Sequence, residues 1–88
     1  MEKTNVRKMI KNYEEEIEFN ERQKMLYRDR IHELCEEVAE VDKDELDEKY
    51  VQKVFERNMG MIKEFEEQNN ILKAKINALE ELLEERGF

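Results

Sequence analysis

The chain has 88 residues, with Lys or Arg at 16 positions, Asp or Glu at 24, a net charge of -8, no proline and two glycines. This is a one-domain length in the composition class of long helices and coiled coils, with no room for a large globular core. Cys35 is the only cysteine, so an internal disulfide is excluded and oligomerisation is the expected source of extra stability for so small a scaffold.

No apolar run approaches the ~20 residues of a membrane-spanning helix, and residues 1–30 lack the apolar block of a signal peptide. The expectation is a soluble, cytoplasmic protein with no membrane partner. Cys35 then reads as a small hydrophobe in a reducing compartment.

The first predicted element is a helix over about 4–40, with Thr4 as its expected cap. Val6, Ile10, Tyr13, Ile17, Asn20, Lys24, Tyr27, Ile31, Leu34 and Val38 follow one another at steps of three or four, which keeps them on one stripe of a helix. Carried past Val41, the same frame would put Glu45 and Glu48 in the core, so a tight turn is expected at about 41–42. Asp42 and Glu45 have the spacing of a capping box, with Val41 and Leu46 as a hydrophobic staple. A second helix is therefore predicted over about 43–86. Gly87 is expected at its left-handed end, with Phe88 folding back on Leu82 or Leu83.

The second seam runs Val51, Phe55, Asn58, Ile62, Phe65, Asn69, Leu72, Ile76, Leu79 and Leu83. Folding the chain near residue 46 pairs positions whose numbers add to about 92, so that Tyr27 meets Phe65, Ile31 meets Ile62 and Lys24 lies beside Asn69. Charge points the same way. Residues 1–13 carry a balance of +3 and residues 80–86 one of -3, and an antiparallel hairpin sets Arg7, Lys8 and Lys11 beside Glu80, Glu81, Glu84 and Glu85. The predicted fold is all-α, an antiparallel two-helix hairpin coiled coil that dimerises into an elongated four-helix bundle.

Dimerisation is expected because Met9, Cys35, Val54, Met59, Met61 and Leu82 widen the seams, as helices with more than one neighbour require. Phe19, Met25 and Leu26 lie off the seam of the first helix and Ile71 off that of the second. The candidate dimer or partner surface is thus Phe19, Met25, Leu26, Val54, Met59, Met61 and Ile71. Asn20, Lys24, Asn58 and Asn69 interrupt the seams. Polar core residues can fix register at a cost in stability, a role assigned to Lys24, Asn58 and Asn69, with Lys24 equally able to snorkel to solvent.

Asp29, His32, Cys35 and Glu36 share one helical face, but as a solvated face rather than a metal site. No phosphate loop or Ser/His/Asp set exists. Neither a catalytic residue nor a cofactor nor a small-molecule substrate is expected. Glu45-Leu46-Asp47, in a chain of this size and hairpin outline, resembles the Ser-Gln-Glu-Leu-Asp signature of the Spo0E-like aspartyl-phosphate phosphatases. Lys43 and Asp44 stand where that signature has Ser and Gln, and the resemblance makes Asp47 the residue to test.

Two binding functions follow from the charge. The leading expectation is a non-enzymatic protein-interaction module, an adaptor, inhibitor or regulator whose acidic second half favours a basic partner protein. The alternative is a small RNA- or DNA-binding regulator using Arg7, Lys8, Lys11, Arg22, Arg28 and Arg30. Residues 1–30 carry eight basic against seven acidic residues, whereas residues 31–88 carry eight against seventeen. The short Lys/Glu/Asn-rich chain also has the general look of accessory proteins of phages or low-GC bacteria. A sequence pI near 4.8 opposes non-specific phosphate binding.

Overall fold

The structure, a computed structural model, describes residues 2–85. Two helices of 38 residues each, α1 over Lys3–Glu40 and α2 over Glu48–Glu85, run antiparallel and pack along their length. The result is a rod of 67 × 15 × 13 Å, an all-α helical hairpin. No helix among the described residues is long and apolar enough to cross a membrane.

The seams meet as the heptad spacing requires. Near the open end, Val6, Ile10 and Ile76 form a buried cluster, with Tyr13, Ile17, Leu79, Leu82 and Leu83 packed against it. Ile62 and Leu72 are buried further along. The Tyr27 and Phe65 rings meet with centroids 6.1 Å apart and tilted by 34°. The central contacts nevertheless give a register slightly below 92: Asn20 bonds Asn69 and Lys24 pairs with Glu66, numbers that add to 89 and 90. Lys24 therefore lies one helical turn from the place opposite Asn69, and Asn20 occupies it.

The connection differs most from expectation. Helix α1 stops at Glu40, Val41 is extended at φ -91° and ψ 139°, and Lys43–Glu45 form a single 3-10 turn before the chain extends again at Leu46. The turn is thus 41–47, not 41–42, and the second helix begins five residues later than predicted. Asp42 makes no side-chain capping bond. Asp47 caps instead, accepting a bond at Oδ1 from the Tyr50 N–H at 3.2 Å. The sequence offers an apolar-Asp pair twice, at 41–42 and 46–47. The second satisfies the helix because Leu46 and Val51 then occupy the staple positions and Val51 is already a seam residue.

Thr4 is also not a cap. It lies inside α1, whose capping position falls on Glu2, where the side chain makes no bond. Val41, outside the helix, is exposed, and so is the seam residue Phe55, so the hairpin packs more loosely toward its connection. The expected roles of Arg86, Gly87 and Phe88 lie outside the described residues.

Three substitutions probe the helices directly. Gly60 sits inside α2 with nothing within 4 Å of the place a Cβ would take, so Gly60→Ala should raise stability by about 0.5–1 kcal/mol through chain entropy alone. Asp47→Ala should lower it by about 0.5–2 kcal/mol through loss of the cap, whereas Asp42→Ala should change it little. Thermal melts followed by circular dichroism read all three.

Candidate functional site

The middle of the rod is polar. Asn20 donates from Nδ2 to Asn69 Oδ1 at 2.8 Å, and Asn69 donates in turn from Nδ2 to Glu21 Oε1 at 2.9 Å. Lys24 Nζ lies 3.4 Å from both Glu21 Oε1 and Glu66 Oε1, and Arg28 reaches the same Glu66 oxygen at 3.7 Å. Asn69 is only 2% exposed and Lys24 7%, yet no buried side-chain nitrogen or oxygen among the described residues lacks a partner. A satisfied network of this kind is tolerated in a core, where an unmet donor would cost about 1–3 kcal/mol.

Of the residues expected to set register, Asn69 alone bonds across the helices by its own side-chain amide. Lys24 joins the helices through its ion pair with Glu66. Asn58 donates to the Val54 carbonyl of its own helix at 3.0 Å and makes no cross-helix bond. Asn20, which interrupts the seam in the same way, is the partner the spacing alone did not single out.

Burial pushes the Glu21 carboxyl up. The hydrogen bond and charge of Lys24, the bond from Asn69 and the charge of Lys73 outweigh it and hold the group below its ordinary value near 4.5.

The two flanks of the hairpin differ. On the side formed by the g and c heptad positions, Phe19, Leu26, Val54, Met61 and Ile71 come together, along with Met9, Tyr50 and Leu82. Phe19 and Ile71 line one open groove with Asn20, Leu72 and Lys75, and Tyr50 and Val54 line a second on the same side with Arg30, Glu33 and Arg57. The opposite flank, at the e and b positions, carries Arg7, Lys11, Glu14, Glu21, Arg28, Lys63, Glu66 and Lys73, with Met25, Cys35 and Met59 as its apolar members. The seven residues predicted as one surface are therefore divided: Met25 and Met59 belong to the charged side. Tyr50 had no signal beyond its position, one residue before the seam residue Val51.

The basic residues of α1 are scattered. Arg28 is tied to Glu66, and Arg30 lies over the Tyr27 ring at 5.0 Å. Arg7, Lys8, Lys11 and Arg22 are exposed. The hairpin brings the N-terminal basic segment alongside the acidic end of α2, as the Val6, Ile10, Leu79 and Leu83 contacts show. No ion pair within 4.0 Å joins the two groups among the described residues.

His32 and Cys35 are exposed, and no group of three or more His, Cys, Asp or Glu among the described residues is placed to hold a metal ion. Asp47 uses its carboxylate as a helix cap. Compared with protein-family models, curated proteins and solved structures, the chain matches none.

Asn69→Leu leaves the Asn20 amide without its acceptor and should cost about 1–3 kcal/mol, whereas Asn20→Leu with Asn69→Leu should recover most of that loss. A double-mutant cycle in urea measures the coupling, and additive single effects would remove the pair as a unit. The Glu21 contribution has its own pH window. Because the folded value lies below the unfolded one, it is fully present above about 4.5 and fades as pH falls through the folded value. Between about pH 6 and 3, Glu21→Gln should therefore lose less melting temperature than the native chain.

Proposed function

We propose that this chain is a non-enzymatic protein-interaction module, an adaptor, inhibitor or regulator working as a dimeric coiled-coil hairpin. One observation carries the reading. Phe19 and Ile71, 50% and 58% exposed, stand across a groove from each other, and Leu26 and Tyr50, 51% and 62% exposed, lie on the same flank. Exposed apolar residues gathered from two helices onto one flank, with polar residues around them, are the usual mark of a protein contact. The acidic excess of residues 31–88 supports a basic partner for the surfaces that stay in water, because complementary fields speed encounter and exclude wrong partners.

A second reading, binding of RNA by α1, is favoured by one finding. Arg7, Lys8 and Lys11 are exposed, and among the described residues none is ion-paired to the glutamates of α2. Against it stand the net charge of -8 and the carboxylates of Glu14, Glu15 and Glu18, which follow those bases directly along the same helix. Affinity for phosphate falls as fewer phosphates are neutralised.

The two readings separate in one experiment. The immobilised chain, washed with a cell lysate at ~50 mM salt where phosphate contacts are strong, should retain a defined basic protein that leaves as salt rises. The eluate should show a protein-like ratio of absorbance at 260 and 280 nm. Nuclease-sensitive material weakened by Arg22→Gln with Lys11→Gln would replace the protein reading with the RNA one, and retention of neither would sink both.

A further inference from the structure

The apolar flank has an order along the rod that points to its occupant. With residue numbers on the two helices adding to about 90, as the Asn20–Asn69 and Lys24–Glu66 contacts set them, Phe19 stands level with Ile71 and Met9 with Leu82. Leu26 and Met61 are offset by about 4.5 Å, within one helical turn. Charges separate these apolar layers. Glu16 is level with Lys75, and Glu33 with Arg57. None of the four has an opposite charge within 4.0 Å among the described residues; Lys75 lies instead over the Tyr13 ring at 5.5 Å.

We propose that a second copy of this chain covers the flank, in a twofold dimer whose axis runs along the rod and whose two connections lie at the same end. The proposal deepens the interaction reading, and rests on it, by naming the first partner. A twofold along the rod lays α1 of one copy over α2 of the other at equal height. Phe19 of each copy then packs on Ile71 of the other, and Met9 on Leu82. Glu16 faces Lys75 and Glu33 faces Arg57 across the interface, and every contact occurs twice because the interface is isologous.

Charge also favours this orientation. In the head-to-tail alternative, with the axis across the rod, α1 lies over α1 and α2 over α2, so Glu16 and Glu33 no longer face Lys75 and Arg57 of the other copy, and the register that lays Ile71 over Met61 sets Lys75 of one copy against Arg57 of the other. Like charges facing each other in a contact oppose it. Size is adequate as well. A flank 67 Å long and 13 Å wide offers roughly 870 Å², near the ~800 Å² per partner of a standard interface. The product is a four-helix bundle with every adjacent pair of helices antiparallel, an arrangement that short connections permit. It leaves the charged flank, with Met25 and Met59, facing water or a further partner.

Sedimentation equilibrium of the full chain, together with distances between spin labels, tests the dimer and its orientation. A label at Asp44→Cys, in a Cys35→Ser background, sits on the connection and away from the interface. The dimer should give one distance of roughly 20–30 Å, whereas the head-to-tail arrangement gives about 60 Å at 1.5 Å of rise per residue and would overturn the orientation. A monomer at about 100 μM would overturn the proposal altogether. Phe19→Glu with Ile71→Glu should weaken the dimer about 100-fold or more, while Met25→Glu with Met59→Glu leaves it within about threefold; the reverse pattern would place the interface on the other flank. Should the first pair unfold the hairpin, charge exchange decides. Glu16→Lys and Lys75→Glu should each weaken the dimer about tenfold and together restore it, and failure of restoration counts against the pairing. A monomer that still retains a basic protein overturns this proposal and the dimeric form of the wider reading but leaves its protein contact standing, and a dimer that retains none overturns only that protein contact.

Discussion

Two helices packed on each other can bury only one stripe of each. Every other property of this hairpin follows from that constraint. A helix of 38 residues presents far more surface than its neighbour can cover, and helical stability in proteins comes mainly from the packing of an apolar face rather than from intrinsic propensity. The buried stripe runs from Val6 and Ile76 at the open end, through Leu72 and Ile62, toward the connection. Whatever apolar surface lies beside that stripe is left in water until something else covers it.

The same thinness explains the polar centre. In a broad core, Lys24 would be far from solvent, and its charge would carry a heavy desolvation cost. In a two-helix rod it stays beside the edge, where Glu21 and Glu66 on either helix meet its ammonium. Asn20 and Asn69 close the network on the other side of Glu21. A slip of one heptad would set Asn69 against Tyr13 or Tyr27 in place of Asn20 and part it from Glu21, so the network opposes other registers at some cost to the apolar seam. Hydrophobic contacts on each side of this layer, the Val6 cluster and the Tyr27–Phe65 pair, supply the attraction that the centre gives up.

The flanks divide the remaining work. One gathers apolar side chains separated by Glu16, Lys75, Glu33 and Arg57, none of which has an opposite charge within 4.0 Å among the described residues, and the other carries the ion pairs that the hairpin does form. This asymmetry supports reading the molecule as a module for protein contact. The chemistry-bearing residues, by contrast, stand alone: His32 and Cys35 are exposed, and Asp47 serves its helix end.

Heptad spacing by itself determined that the chain forms two long helices, which stripes they bury, and that they turn back between residues 41 and 51. Those are local properties: a step of three or four places side chains on one face whatever lies opposite. It also marked Asn20 and Asn69 as breaks in the seam, and Phe19 and Ile71 as apolar residues outside it. Only the tertiary structure decided that Asp47 rather than Asp42 starts the second helix, since both have the same local chemistry and the packing of Val51 chooses between them. It alone joined Asn20 to Asn69, because a shift of two or three in the register sum is invisible to a pattern that repeats every seven residues. The separation of Met25 and Met59 from Phe19 and Ile71 lies already in their heptad positions, b and e against c. What the tertiary structure added is which flank of one helix joins which flank of the other, because that depends on the two helices running antiparallel.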